Sequence, residues 1–165
     1  MKLNKAEEYK VNQATSYLFD MDILFKELYE GFKKQKLLKR AELKPIPGIY
    51  VFYNDEKPIY VGRANNIKLR IQYHTRPSSG SESASFAFNL TKLEFEEKIN
   101  ESKIGRDAIM KLEGFSDRFT KHKEDLHASR IRCIEIENDI IQTMFEPYLA
   151  LKLGTYPRNN TFENH

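Results

Sequence analysis

A chain of 165 residues is long enough to bury one core and short for two, and 27 Lys and Arg against 24 Asp and Glu make it mildly basic rather than a polycation. No run approaches the roughly 18 uninterrupted apolar residues of a membrane helix, and the first residues lack the apolar core of a signal peptide, so a cytoplasmic protein with no membrane role is expected. The lone cysteine, Cys133, excludes an internal disulfide and a cysteine-based zinc site, and inside its apolar run it reads as a small buried hydrophobe.

Residues 1–44 read as a helical extension. Leu24, Phe25, Leu28 and Phe32 form one stripe, with Asp20 or Asp22 as cap, and a weaker apolar pattern precedes it at Tyr9, Val11, Tyr17, Leu18 and Phe19. The extension is expected to buttress a following domain; an arm that reads DNA or dimerises is the alternative. Lys33, Lys34, Lys36, Lys39 and Arg40 crowd together at its end, as a phosphate-backbone contact or as a solvated helix end whose cations suit the dipole. Pro45 and Pro47 stop the helix and bring the chain into the next segment extended.

The rest is organised around a hairpin and the helix after it. Two aromatic and β-branched runs, Gly48 to Tyr53 and Ile59 to Gly62, flank a polar turn cluster containing Pro58. Asn65 or Asn66 then caps a helix in which Ile67, Arg70, Ile71 and His74 share one inward stripe. Half of that stripe is polar, and an unpartnered charge under a sheet costs several kcal/mol. Arg70 and His74 therefore need partners, which Tyr50 and Tyr60 can supply if the hairpin puts both phenols on one face. Side chains alternate along a strand, so this requires an odd loop or a bulge; a regular ladder with Tyr50 across from Val61 would separate the two. Two phenols, an arginine and a histidine in one cluster read as a phosphate site more naturally than as core.

Residues 75–85, rich in Ser, Gly and Pro, are expected as a surface loop, and Arg76 within it can contact phosphate. Phe86, Leu90 and Leu93 predict an inward-packing helix, residues 94 to 107 an exposed charged stretch, and Phe115, Phe119, His122 and Leu126 another helix, with His122 and His127 as surface residues. Arg130 to Ile136 alternates like a third strand. From Glu137 the period becomes helical through Ile140, Ile141, Met144, Phe145 and Tyr148 towards Gly154, with Pro147 as a kink, and the tail is irregular.

Gly48-Ile49-Tyr50 and Tyr60-Val61-Gly62, the latter with Val for Ile, resemble the paired signatures of the GIY-YIG nucleases, with about one residue fewer than usual between them. Arg70 stands at the place of the family's catalytic arginine and His74 where many members carry a histidine. The runs His74 to Gly80 and Ala84 to Phe88, and the ending Asn160-Thr161-Phe162-Glu163-Asn164-His165, resemble the restriction-enzyme-like branch. The resemblance implies an α+β domain over residues 45–165, a small three-stranded antiparallel sheet flanked by helices. It implies a DNA endonuclease dependent on Mg²⁺ or Mn²⁺, cutting duplex DNA like a restriction enzyme. The alternatives are a repair or mobile-element nicking enzyme and a catalytically silent nucleic-acid-binding module.

By the same resemblance Glu137, in Ile136-Glu137-Asn138-Asp139-Ile140-Ile141, is the single metal-binding glutamate, with Glu135 as its rival. Arg70 would clamp the scissile phosphate, a guanidinium being permanently charged and bidentate. Tyr50, Tyr60 or His74 would orient or deprotonate the attacking water, and Arg63 would be the basic residue that follows the second signature. The family's asparagine, expected shortly after a proline, is missing after Pro147 and is met again after Pro157, at Asn160 or Asn159. Cutting both strands with one site per chain implies a homodimer or sequential nicking. The target sequence and any partner methyltransferase are not legible.

Overall fold

The segment Gly48 to Tyr53 has the apolar and β-branched composition of a strand covered on both faces. In the computed structural model, which describes residues 20–157 apart from 103, together with 159 and 160, that segment is the buried central strand β1, Gly48–Asn54. It pairs antiparallel with β2, Lys57–Ala64, on one side and with β3, Arg130–Glu135, on the other, giving a three-stranded sheet of order β2-β1-β3. Helices flank this sheet, and the architecture is the expected α+β class.

The hairpin register depends on one extra residue. The tight turn at Asp55, whose φ of 53° an Asp tolerates, pairs Asn54 with Lys57 and Tyr53 with Pro58. Continued regularly, that ladder would set Tyr50 opposite Val61. A bulge between Phe52 and Tyr53 absorbs Ile59, so Phe52 lies opposite Tyr60 and Tyr50 opposite Gly62. Tyr50 and Tyr60 consequently share a face, together with Phe52, Ile131 and Cys133. Pro58 sits in the edge strand beside the bulge, where a missing N–H is tolerated.

Over that face lie helices α2 (Ile67–Thr75), α3 (Ser85–Glu94) and α6 (Phe115–Ala128), with the short α4 (Glu96–Ser102) and α5 (Arg106–Ile109) between the last two. Ile67, Ile71, Phe86, Phe88, Phe115, Phe119 and Leu126 form one core with Tyr50, Phe52 and Ile131. Helix α7 (Asp139–Leu153) packs against β2 and β1, with Gln142, Phe145 and Leu149 buried along one stripe. It runs through Pro147 to Gly154, whose φ of 69° ends it in the left-handed conformation that glycine adopts freely.

The chain divides into two compact units, residues 1–35 and 36–165. In the first, helix α1 spans residues 20–33, with Phe25 and Phe32 buried and Leu24 and Leu28 half-buried, so the expected stripe is present. The helix does not continue to 44. Residues 36–44 belong to the second unit, where Leu38 exchanges both backbone hydrogen bonds with Ile131, at 2.7 and 2.9 Å, before a 3₁₀ turn at Arg40–Glu42. The outer edge of β3 would otherwise expose unpaired backbone groups, and pairing there overrides helix propensity. The pattern at Tyr9 to Phe19 and the ending at 161–165 lie outside the described residues.

Candidate active site

The site is assembled where β2 forms the outer edge of the sheet. Tyr50 projects from the buried central strand, and its ring crosses β2 at Gly62: a Cβ on Gly62 would come within 2.4 Å of the Tyr50 hydroxyl. The glycine is required because a phenol occupies its side-chain space. Gly48 is required for a related reason, since a Cβ there would meet the Ile134 carbonyl at 2.1 Å and its φ is +146°. Both glycines of the paired signatures are thus set by close approach.

Helix α2 starts at Asn66, whose side chain accepts from the Leu69 N–H at 2.9 Å. That start turns Ile67, Ile71 and His74 inward, and all three are fully buried. His74 Nε2 lies 2.8 Å from the Tyr50 hydroxyl. Arg70, half-buried one turn earlier, lies near enough for its charge to act on Tyr50, and its two terminal nitrogens donate to the Ser83 carbonyl at 3.0 Å and the Ser85 hydroxyl at 3.2 Å. Which of the phenol and the Nε2 donates follows from the tautomer of His74. The other ring nitrogen, Nδ1, is buried with no partner among the described residues. Tyr60 completes the group: its ring stacks on Phe86 at 4.2 Å and lies 5.9 Å from the imidazole.

These groups are held neutral around one permanent cation. Burial, and then the Arg70 charge, push the His74 pKa down to about 3. Burial raises Tyr60 to about 12, with the carboxylate of Glu146 adding to the rise and Arg70 opposing it. Tyr50 is raised well above its ordinary value, again by burial first.

Glu146 was not a predicted site residue. It lies on α7 one turn after the buried Gln142, and burial raises its carboxyl while Arg63 and then Arg70 oppose the rise. Arg63 Nε stands 3.2 Å from Glu146 Oε2, and the carboxylate side chain is only 17% exposed. Glu137, by contrast, is exposed and sits ahead of the Asn138 cap of α7, and Glu135 is exposed at the end of β3. The carboxylate whose field reaches Tyr50, Tyr60 and Arg70 is therefore that of Glu146. One sequence signal could have found it: its place on the buried side of the α7 stripe.

The predicted asparagine position resolves into a pair acting on the β2 backbone. Asn160, buried, accepts from the Val61 N–H at 3.0 Å and donates to the Val61 carbonyl at 2.7 Å, and Asn159 donates to the carbonyl of the bulged Ile59 at 2.7 Å. Together they hold β2 on both sides of Tyr60. A second support was missed altogether: Lys123, buried on α6, donates to the Pro77 and Ser79 carbonyls at 2.5 and 3.1 Å, fixing the loop that presents Ser83 and Ser85 to Arg70. Arg76 is exposed and lies over the Tyr73 ring, and Lys33, Lys34 and Lys36 are exposed, with Lys33 paired to Glu30.

Among the described residues no three His, Cys, Asp or Glu side chains gather as a metal cluster. A cation here would take one carboxylate together with water and substrate oxygens, a pattern that Mg²⁺ and Mn²⁺ accept. Glu146 suits that role: it is a hard oxygen donor, partly desolvated, and already faces a cation in Arg63.

A model of the GIY-YIG catalytic domain matches residues 46–144, more than half of the chain. Over 59 residues the sequence is 37% identical to the UvrABC system protein C of Deinococcus radiodurans, a match that covers 36% of this chain and 9% of that relative. No solved structure matches. No helix among the described residues is long and apolar enough to cross a membrane.

Proposed function

Because the chain belongs to the GIY-YIG family, we propose that it is a divalent-metal-dependent endonuclease that hydrolyses phosphodiester bonds of DNA, with duplex DNA as its restriction-like substrate. The observation that carries this reading is the meeting of Tyr50, Tyr60, His74, Arg70 and Glu146 at the edge of β2. In this assignment Glu146 takes the metal role that the sequence pattern suggested for Glu137.

Arg70 binds two oxygens of the scissile phosphate, a function for which a planar, always-charged fork is suited, and holds the extra charge that develops as phosphorus becomes five-coordinate. In this assignment Tyr50 donates to His74 Nε2 and keeps its oxygen lone pairs free to accept. It accepts the O–H of the attacking water, and as that proton arrives at Tyr50 its own proton passes to His74 Nε2. The net result is hydroxide at phosphorus and a proton stored on the imidazole, which the incoming phosphate charge makes tolerable. Tyr60, the more exposed phenol, donates to a phosphate oxygen. A divalent cation at Glu146 would supply positive charge for the leaving oxygen and the transition-state phosphate. Asn159, Asn160 and Lys123 keep these groups in register, Arg76 contacts the flanking backbone, and the exposed Lys33, Lys34 and Lys36 are further DNA contacts.

Nicking of supercoiled plasmid with Mg²⁺ or Mn²⁺ tests this. Glu146→Gln should lose on the order of 100-fold in rate or more, in line with removal of a transition-state charge partner, and Glu137→Gln should cut like the parent. The reverse ranking would return the metal role to Glu137. No cleavage by the parent with either metal, alongside intact DNA binding, would leave a silent binding module. One site per chain also favours a second reading, a repair or mobile-element nicking enzyme. A persistent nicked product at all protein concentrations would support it, whereas concentration-dependent linearisation supports a homodimer cutting both strands.

A further inference from the structure

We propose that Arg63 is a displaceable stand-in for the divalent cation at Glu146, and that metal entry releases its guanidinium to bind a phosphate of the DNA. This rests on the reading of Glu146 as the metal carboxylate. The two partners are unequal: the glutamate side chain is 17% exposed on a buried helix, whereas Arg63 is 45% exposed on the edge strand. The carboxylate is the fixed member and the arginine the movable one. With only 17% of its side chain exposed, a bare carboxylate is costly at this place, so some cation must face it before metal arrives. Arg63 supplies that cation, its Nε 3.2 Å from Glu146 Oε2.

A second cation on the same carboxylate repels Arg63, and the side chain has somewhere to go. Arg63 precedes the α2 cap by three residues and shares with Arg70 the carboxylate of Glu146 as a charge neighbour. Swung outward from β2, it stays beside the carboxylate that it shares with Arg70 on α2, the arginine that clamps the scissile phosphate, and a neighbouring phosphate of the strand would be its natural partner. The exchange keeps the carboxylate paired with a cation in each state and reserves the second phosphate contact for the metal-loaded enzyme.

The test is Mn²⁺ binding to the full chain without DNA, followed by the electron paramagnetic resonance of free Mn²⁺, for the parent, Arg63→Met, Arg63→Lys and Glu146→Gln. Arg63→Met keeps an apolar stem and removes the competing charge, so it should bind Mn²⁺ roughly fivefold more tightly than the parent. Arg63→Lys should stay near the parent. In Ca²⁺, Arg63→Met should bind duplex DNA more weakly than the parent, with loss of the released contact. Unchanged or weaker Mn²⁺ binding by Arg63→Met, while Glu146→Gln loses the ion, would overturn the exchange and leave the metal assignment standing. Mn²⁺ binding by Glu146→Gln equal to the parent would overturn both.

Discussion

Two clusters in this protein are built from the same three residue types and behave in opposite ways. At the edge of β2, His74 and Arg70 gather with the carboxylate of Glu146; between α3 and α6, His122 and Arg118 gather on Glu94. The second cluster is closed. Arg118 forks onto both oxygens of Glu94, His122 Nε2 stands 2.9 Å from one of them, and the Arg118 hydrogen bond holds the Glu94 carboxyl below its ordinary range. Every charge there has its partner, and water reaches the pair, so it joins two helices and little more. The first cluster is open. Its imidazole and phenols are kept from ionising by burial, an imidazole nitrogen has no partner among the described residues, and its carboxylate is pushed up rather than down. Strained protonation states around a permanent cation point to a site waiting for an anion.

Removing the arginine from each cluster is the strongest way to break the comparison. Arg70→Ala should cost on the order of 1,000-fold in cleavage rate, the scale of losing a main transition-state charge donor, with a smaller effect on DNA affinity. Single-turnover kinetics separate the two. A loss confined to affinity would make Arg70 a backbone contact and move the chemistry elsewhere.

Acid separates the clusters through stability. His74 has a folded pKa of about 3 against 6.5 unfolded, so the unfolded chain binds the proton that the folded one refuses. Its contribution is therefore complete above 6.5 and is lost as the pH falls from there towards 3, by up to about 1.4 kcal/mol for each unit. Urea titrations from pH 8 to 4 should show that slope, and His74→Gln should flatten it. Glu94 has the same sign but a lower window: its support is present above its ordinary 4.5 and fades only below it. A parent whose stability does not change between pH 6.5 and 5 would contradict a buried neutral His74.

A smaller effect is expected from Gly62→Ala. The added Cβ meets the Tyr50 hydroxyl and ring carbons at 2.4 to 3.0 Å, contacts that a rigid phenol on the central strand cannot avoid cheaply. Overpacking of this kind costs about 1–3 kcal/mol. The rate should fall further than stability, because the atom displaced is the one hydrogen-bonded to His74. Equal activity with a shifted melting temperature would mean that the Tyr50 hydroxyl position does not matter to the chemistry.

How far the sequence reaches can be judged on the same residues. Tyr50, Tyr60, Arg70 and His74 were legible because two local rules suffice for them: strand alternation and the helical i, i+3, i+4 stripe both act over a few residues. The bulge that unites the phenols was legible only as a requirement. It inserts Ile59, a residue with ordinary strand preference, and nothing about its chemistry marks the slip. Glu146 was hidden for a different reason. The helical pattern reads through Pro147 to Gly154, as α7 runs, but the Ile-Glu-Asn run at Glu137 resembles the expected motif and draws the metal role to the start of the helix. Asn159 and Asn160 act on backbone atoms about a hundred positions away, a relation that no local pattern encodes. Residues 36–44 left the helix for the free edge of β3, again a tertiary demand.

The least disruptive change sharpens the comparison most. Arg118→Ala removes the fork from Glu94 but leaves His122 Nε2 within 2.9 Å of that carboxylate, and all three groups stay within reach of water. Nothing buried is orphaned, so cleavage should match the parent and only the acid limb of stability should move, as Glu94 returns towards its ordinary range. The same deletion at Arg70 removes the permanent charge facing a buried phenol, a half-buried one and a neutral imidazole. If Arg118→Ala were to slow cleavage as Arg70→Ala does, the α3–α6 cluster would be part of the substrate path, because its geometry gives it no other route to the phosphate.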